Sequence, residues 1–138
     1  MRNEASAGET ASLLASAPGG QELLKWFSGL PNFGDAEIIA LHLDRKGPSS
    51  LIVEVYQPSR KALVTFVLGD WIDVRMTGFS HQNVIGGLIL KRAGEREIAP
   101  WEVGVGATPG DIEIELQPCF GASGVIRATL LRVEMKKL

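Results

Sequence analysis

Asp35-Ala36-Glu37-Ile38-Ile39-Ala40-Leu41-His42-Leu43-Asp44, running on into Arg45-Lys46-Gly47-Pro48, is the stretch on which the fold turns. Ile39, Leu41 and Leu43 alternate with Ala40, His42 and Asp44. A period of two rather than 3.6 is how a strand with one buried face reads. Lys46-Gly47-Pro48 then supplies a turn, so the spacing predicts a strand of about ten residues starting at Asp35.

The same alternation recurs downstream. Leu51, Val53 and Val55 form one set, Leu63, Thr65 and Val67 a second, and Ile72, Val74 and Met76 a third. Gln57-Pro58-Ser59-Arg60 and Gly69-Asp70 separate them, and connections this short imply antiparallel hairpins. Gly78-Phe79-Ser80-His81-Gln82-Asn83 reads as a bend before an apolar strand from Val84 to Leu90. Residues 93 to 110 carry several Gly and Pro and read as irregular, with Ile98 and Trp101 pinning them to the core. Asp111, Glu113 and Glu115 alternate with Ile112, Ile114 and Leu116, a half-buried strand with an acidic outer face. A last strand spans Gly124 to Met135.

Upstream, Leu23, Leu24, Trp26 and Phe27 share one broad helical stripe over residues 21–28, which Gly29 and Pro31 stop. Residues 1–8 read as a loose, flexible tail, and a short helix is expected over about residues 9–16, ended by Pro18. Residues 9–138 then form a single globular domain. The fold class expected is mainly β (α+β): an antiparallel sheet, curled or folded into a sandwich, with one N-terminal amphipathic helix packed on it.

Composition narrows the function classes. The chain has 138 residues, 45% of them apolar and 22% charged, which suits one self-sufficient core. Fourteen Lys and Arg against sixteen Asp and Glu leave a net charge of −2, without the basic excess that binding a phosphate backbone needs, so nucleic acid is not an expected partner. No apolar run approaches the roughly 20 residues that span a bilayer, and the N-terminus lacks a basic start and apolar stretch, so neither membrane nor export is expected. The single cysteine, Cys119, cannot form an internal disulfide and reads as a small buried hydrophobe; a reducing cytoplasm is the expected location. Gly86-Gly87 and Gly104-Val105-Gly106 match neither phosphate-loop nor dinucleotide patterns and read as bends, and no cofactor is implied.

Two polar groups stand out. His42 and Asp44 lie two apart on one strand face, where Asp35 or Glu37 could approach them as a metal or acid–base site; the plainer reading is a solvated strand face. Ser80-His81-Gln82-Asn83 is the densest polar cluster, suited to bonding exposed backbone groups or, through His81, Gln82 and Asn83, to forming a recognition surface. Adjacency does not favour Ser80 and His81 as a nucleophile and base. The acidic row Asp111, Glu113 and Glu115 reads as a solvated face that could meet a basic partner.

From Trp26 to Pro48 (WFSGLPNFGDAEIIALHLDRKGP) and again from Gly78 to Ile85 (GFSHQNVI), the chain resembles the Immunity protein 50 family, associated with bacterial polymorphic toxin systems. The resemblance covers roughly residues 20 to 135: a Trp-bearing helix, an entry into a long strand through Asp35-Ala36-Glu37, successive strands, then the Phe79, His81, Gln82, Asn83 motif. Members commonly have His where Gly34 stands, so any role built on that His is lost here. The resemblance implies a cytoplasmic, non-enzymatic protein that neutralises a cognate toxin domain by binding it, with no catalytic residue to carry over. Physically, Phe33 and Phe79 would anchor loops into the core, and at least one of Asp35 and Glu37 would cap backbone donors.

Two other classes remain open from residues alone. One is a small metal-dependent or acid–base hydrolase using Asp35, Glu37, His42, Asp44 or His81. The other is a ligand-binding or oligomeric β domain with Trp26, Trp71 or Trp101 lining a pocket, although buried tryptophans usually belong to the core. An unpaired sheet edge would permit a homodimer.

Overall fold

The alternating segments form six strands, and in the computed structural model, which describes residues 4–93 and 111–138, they close into an antiparallel barrel. The strands are β1 Glu37–His42, β2 Ser49–Gln57, β3 Arg60–Thr77, β4 Val84–Arg92, β5 Asp111–Phe120 and β6 Ser123–Lys137. Around the barrel they run β1-β2-β3-β6-β5-β4. Two three-stranded meanders therefore meet, third strand to third strand and first to first. The curled form of the expected sheet is realised and the sandwich is not, because the ladder is continuous and leaves no second sheet.

Closure is narrow. β1 and β4 share one register pair, Glu37 with Val84, extended by Ile38 N–H to Asn83 O (2.7 Å), Ile85 N–H to Ala36 O (2.9 Å) and Asp35 N–H to Ile85 O (2.9 Å). The free edge invoked for a homodimer is thus largely taken up. Among the described residues no strand flanks β1 beyond this seam, and a register shift between Ile38 and Ala40 kinks it there, a local break of the kind that discourages edge-to-edge pairing.

Three boundaries differ from expectation. β1 has six residues, not about ten: Asp35 adopts φ 65, and Asp44 already belongs to the turn, its Oδ1 accepting from Lys46 N–H (2.8 Å) and Gly47 N–H (3.2 Å). Gly69-Asp70 is no hairpin: β3 runs through it, and its register against β6 slips between Gly69 and Ile72. Both halves of β3 pair with the same long partner, and the slip makes room for Leu131, whose Cδ1 lies 2.4 Å from where a Cβ on residue 69 would stand. The irregular segment pinned by Ile98 and Trp101, with Gly104-Val105-Gly106, lies outside the described residues.

Two helices precede the barrel, at the two expected segments. α1, Glu4–Ser16, begins inside the stretch read as tail; α2, Gly20–Phe27, buries Leu23 and Phe27 and ends where Ser28 turns left-handed and Gly29 N–H bonds Leu24 O at 2.8 Å. Inward-facing residues are Leu51, Val53 and Val55 on β2, Ala62, Val64, Phe66 and Leu68 on β3, Ile114 and Leu116 on β5, Ile126 and Ala128 on β6. On β3 this is the face opposite the expected Leu63 and Thr65, and on β1 the expected Ile39 and Leu43 are exposed while Ile38, just before the register shift, is buried. Leu13, Leu14, Leu23 and Phe27 of the helices join the same cluster. Among the described residues no helix is long and apolar enough to cross a membrane.

α1 also completes β4. Buried Thr10 accepts from Leu90 N–H (3.1 Å) and donates to Leu90 O (3.4 Å), while Glu9 accepts from Arg92 N–H (3.1 Å). One hydroxyl thus does for Leu90 what a neighbouring strand would do. Thr10→Val keeps the shape and leaves both Leu90 groups unpaired, so it is expected to cost about 1–3 kcal/mol in denaturant unfolding. Thr10→Ser, retaining the hydroxyl, should cost less; equal losses would contradict the pairing role.

Candidate interaction surface

The seven residues singled out in the sequence fall into two groups. Glu37 pairs with Val84 at the seam, whereas His42 pairs with Ser50 at the far end of β1. They stand five positions apart along β1, or about 16 Å at roughly 3.3 Å per residue. His42 Nε2 lies 3.9 Å from Asp44 Oδ2 with both side chains well exposed, 67% and 43%, which is the solvated-face reading. Asp35 and Glu37 do not join them. Among the described residues no group of three or more His, Cys, Asp or Glu side chains is placed to hold a metal ion.

The expected capping by Asp35 or Glu37 is also corrected. Among the described residues neither side chain makes a hydrogen bond; Asn32 Oδ1 does that work, accepting from Gly34 N–H at 3.0 Å. Asp35 contributes through its backbone instead, with its N–H on Ile85 O.

Asn83 is the structural member of the polar cluster. Its Oδ1 accepts from Ser80 N–H and from Ala122 N–H, each at 2.9 Å, its Nδ2 donates to Ser80 O at 3.0 Å, and its own carbonyl receives Ile38 N–H. A single side chain therefore ties the β3–β4 loop to the β5–β6 turn, while its backbone ties the loop to β1. The two loops approach so closely that a Cβ on Gly121, at φ 85, would stand 2.5 Å from Gln82 O.

What this knot presents outward is aromatic. Phe79 is 57% exposed and Phe120 51% exposed, against the expectation that Phe79 anchors the loop in the core; Phe33, by contrast, is buried as expected. The reason is geometric: Asn83 and the glycine contact fix the loop by polar bonds, which frees Phe79 from that duty. His81 stands edge-on to Phe120 with ring centres 6.4 Å apart, and its Nδ1 lies 3.3 Å from Ser80 Oγ. That approach is closer than adjacency suggested, but both groups are exposed and, among the described residues, no carboxylate orients the imidazole, so a triad is not assembled. Gln82 is exposed beside them, and Cys119 is exposed rather than buried.

The acidic row is not an open face. Asp111 is buried, accepting from Thr129 Oγ1 (2.6 Å) and Trp71 Nε1 (3.0 Å). Glu113 pairs with Arg127 (2.9 Å) and Glu115 with Lys91 (3.1 Å). The Glu115 carboxylate, by hydrogen bond and charge, holds the Lys91 ammonium above its usual range. Trp71 is half-buried on Asp111, and Trp26 is half-buried against Phe27; Trp101 lies outside the described residues. Cys119 and Phe79 are surface residues that the sequence reading placed inside. Their signal was the left-handed glycine beside each loop, Gly78 and Gly121, which marks a tight crossing rather than a core-facing strand end. Comparison with family models, curated proteins and solved structures finds no match.

Proposed function

We propose that this protein is an immunity protein of the Immunity protein 50 type, which neutralises a cognate bacterial toxin domain by binding it through the end of the barrel formed by Phe79, His81, Gln82 and Phe120. The observation that carries the reading is the exposed pair Phe79 and Phe120, held by Asn83 and the closed barrel. Large aromatic side chains on a pinned loop bury apolar area with little loss of chain entropy, which is what a tight inhibitor needs. His81 and Gln82 add hydrogen-bonding edges around them.

The experiment is co-expression with the toxin-like product of a neighbouring gene, scored by growth, followed by co-purification and a binding isotherm. Rescue with association of about nanomolar strength or tighter is the expected result. Growth arrest that this protein leaves unchanged, with both partners folded, would contradict it.

A further inference from the structure

A groove of about 510 Å³ lies far from the aromatic end, at the opposite ends of β3 and β6, beside α2. Glu22, Lys25, Trp26, Arg60, Met135 and Lys137 line it. Three cations face one carboxylate there, in a chain whose net charge is −2. Several cations elsewhere sit on acids: Lys91 on Glu115, Arg127 on Glu113, Arg75 on Asp73, Arg132 on Glu134. Among the described residues Lys25, Arg60 and Lys137 make no ion pair, and Lys137 Nζ instead lies 5.6 Å from the centre of the half-buried Trp26 ring.

We infer that this groove binds an acidic peptide segment of a protein partner. The cations come from α2, β3 and β6, so their charges are spread along the groove and match carboxylates spaced along a chain. A compact phosphate would favour converging backbone N–H groups or a glycine loop, and the lining supplies only side chains. Lys137 Nζ lies over the Trp26 ring, so a nucleobase stacking there would have to displace a cation, whereas an acidic side chain can pair with that cation where it stands. The site is independent of the aromatic end and holds or fails without it.

The test is calorimetric titration of the full chain with a blocked hexapeptide of Glu and Asp, with its Gln and Asn counterpart and with inorganic triphosphate as comparison probes. Saturable binding of the acidic peptide alone is expected, weakening as salt rises from about 50 to 300 mM. The double variant Lys25→Glu/Arg60→Glu should weaken it about tenfold or more, while the charge-matched Lys46→Glu/Arg132→Glu, outside the groove, should change it much less. Thermal unfolding of both variants reports whether each is folded; if the groove variant unfolds, Lys25→Gln/Arg60→Gln replaces it. No saturable binding, equal weakening by both double variants, or binding of triphosphate in preference to the peptide would each overturn the inference.

Discussion

Truncating Phe66 to Ala is expected to lower the unfolding free energy by about 3–5 kcal/mol, the largest loss from any one side chain in the barrel. Phe66 is fully buried near the middle of β3, between Thr65 and Val67, and its ring tilts against that of Phe33, centres 6.4 Å apart. A cavity there withdraws support from Phe33 and so from the entry to β1, next to the seam where the barrel closes. Phe66→Leu, which keeps much of the volume, should cost less than about 2 kcal/mol. Denaturant titration distinguishes them: a loss under about 1 kcal/mol for Phe66→Ala would mean that the barrel interior is not the packed cluster described.

Replacing Asn83 by Ala is expected to cost about 2–4 kcal/mol, more than a half-buried polar residue ordinarily carries. Three hydrogen bonds go at once, two of them from backbone N–H groups, and with them the one side-chain tie between the β3–β4 loop and the part-buried Ala122 N–H. Asn83→Asp keeps an acceptor for Ser80 and Ala122 and loses only the donation to Ser80 O, so it should be milder. Gln82→Ala, next in sequence but exposed, should change stability by less than about 0.5 kcal/mol. If Asn83→Ala and Gln82→Ala were alike, the loop would not be tied as described.

The strands were legible because a barrel interior filled by side chains imposes the same period of two that a sheet face does. Leu51, Val53, Val55, Ile114 and Leu116 point where the alternation put them, whereas on β1 and the first half of β3 the period was right and the phase was not: Ile39 and Leu43 are exposed, and Ala62, Val64 and Phe66 face inward in place of Leu63 and Thr65. The merger of two expected strands into β3 was not legible: Gly69-Asp70 is a bulge only because β6 is long enough to pair with both halves, and that is a property of a partner some 60 residues away. Closure was hidden for a similar reason, since it rests on three backbone hydrogen bonds around the Glu37–Val84 pair rather than on a strand's worth of pattern. Only the second half of α1 was legible, since Ala, Ser and Gly dominate its start and its apolar stripe is confined to Leu13 and Leu14, while the bonds of Thr10 to Leu90 depend on a strand some 80 residues away.

The candidate site was half legible. Asn83 was correctly a bonding residue of the dense polar loop, and the resemblance pointed to the same segment. Phe79 was misread because an aromatic residue in a loop usually anchors it, a rule that fails when hydrogen bonds already do so. His42 and Asp44 lie near each other, the one at the end of β1 and the other in the turn after it, but never meet Asp35 or Glu37, because the strand keeps its two ends apart.

The most direct test of the account is a binding isotherm against the cognate toxin domain for the unaltered protein and for Phe79→Ala/Phe120→Ala. Both residues are exposed and hold nothing in the core, so the double variant should fold with an unchanged thermal midpoint. Its affinity should fall by about 100-fold or more, the loss expected when two central aromatic contacts are removed. An unchanged affinity in a folded double variant would contradict the proposal that the aromatic end of the barrel is where this protein would bind a toxin domain.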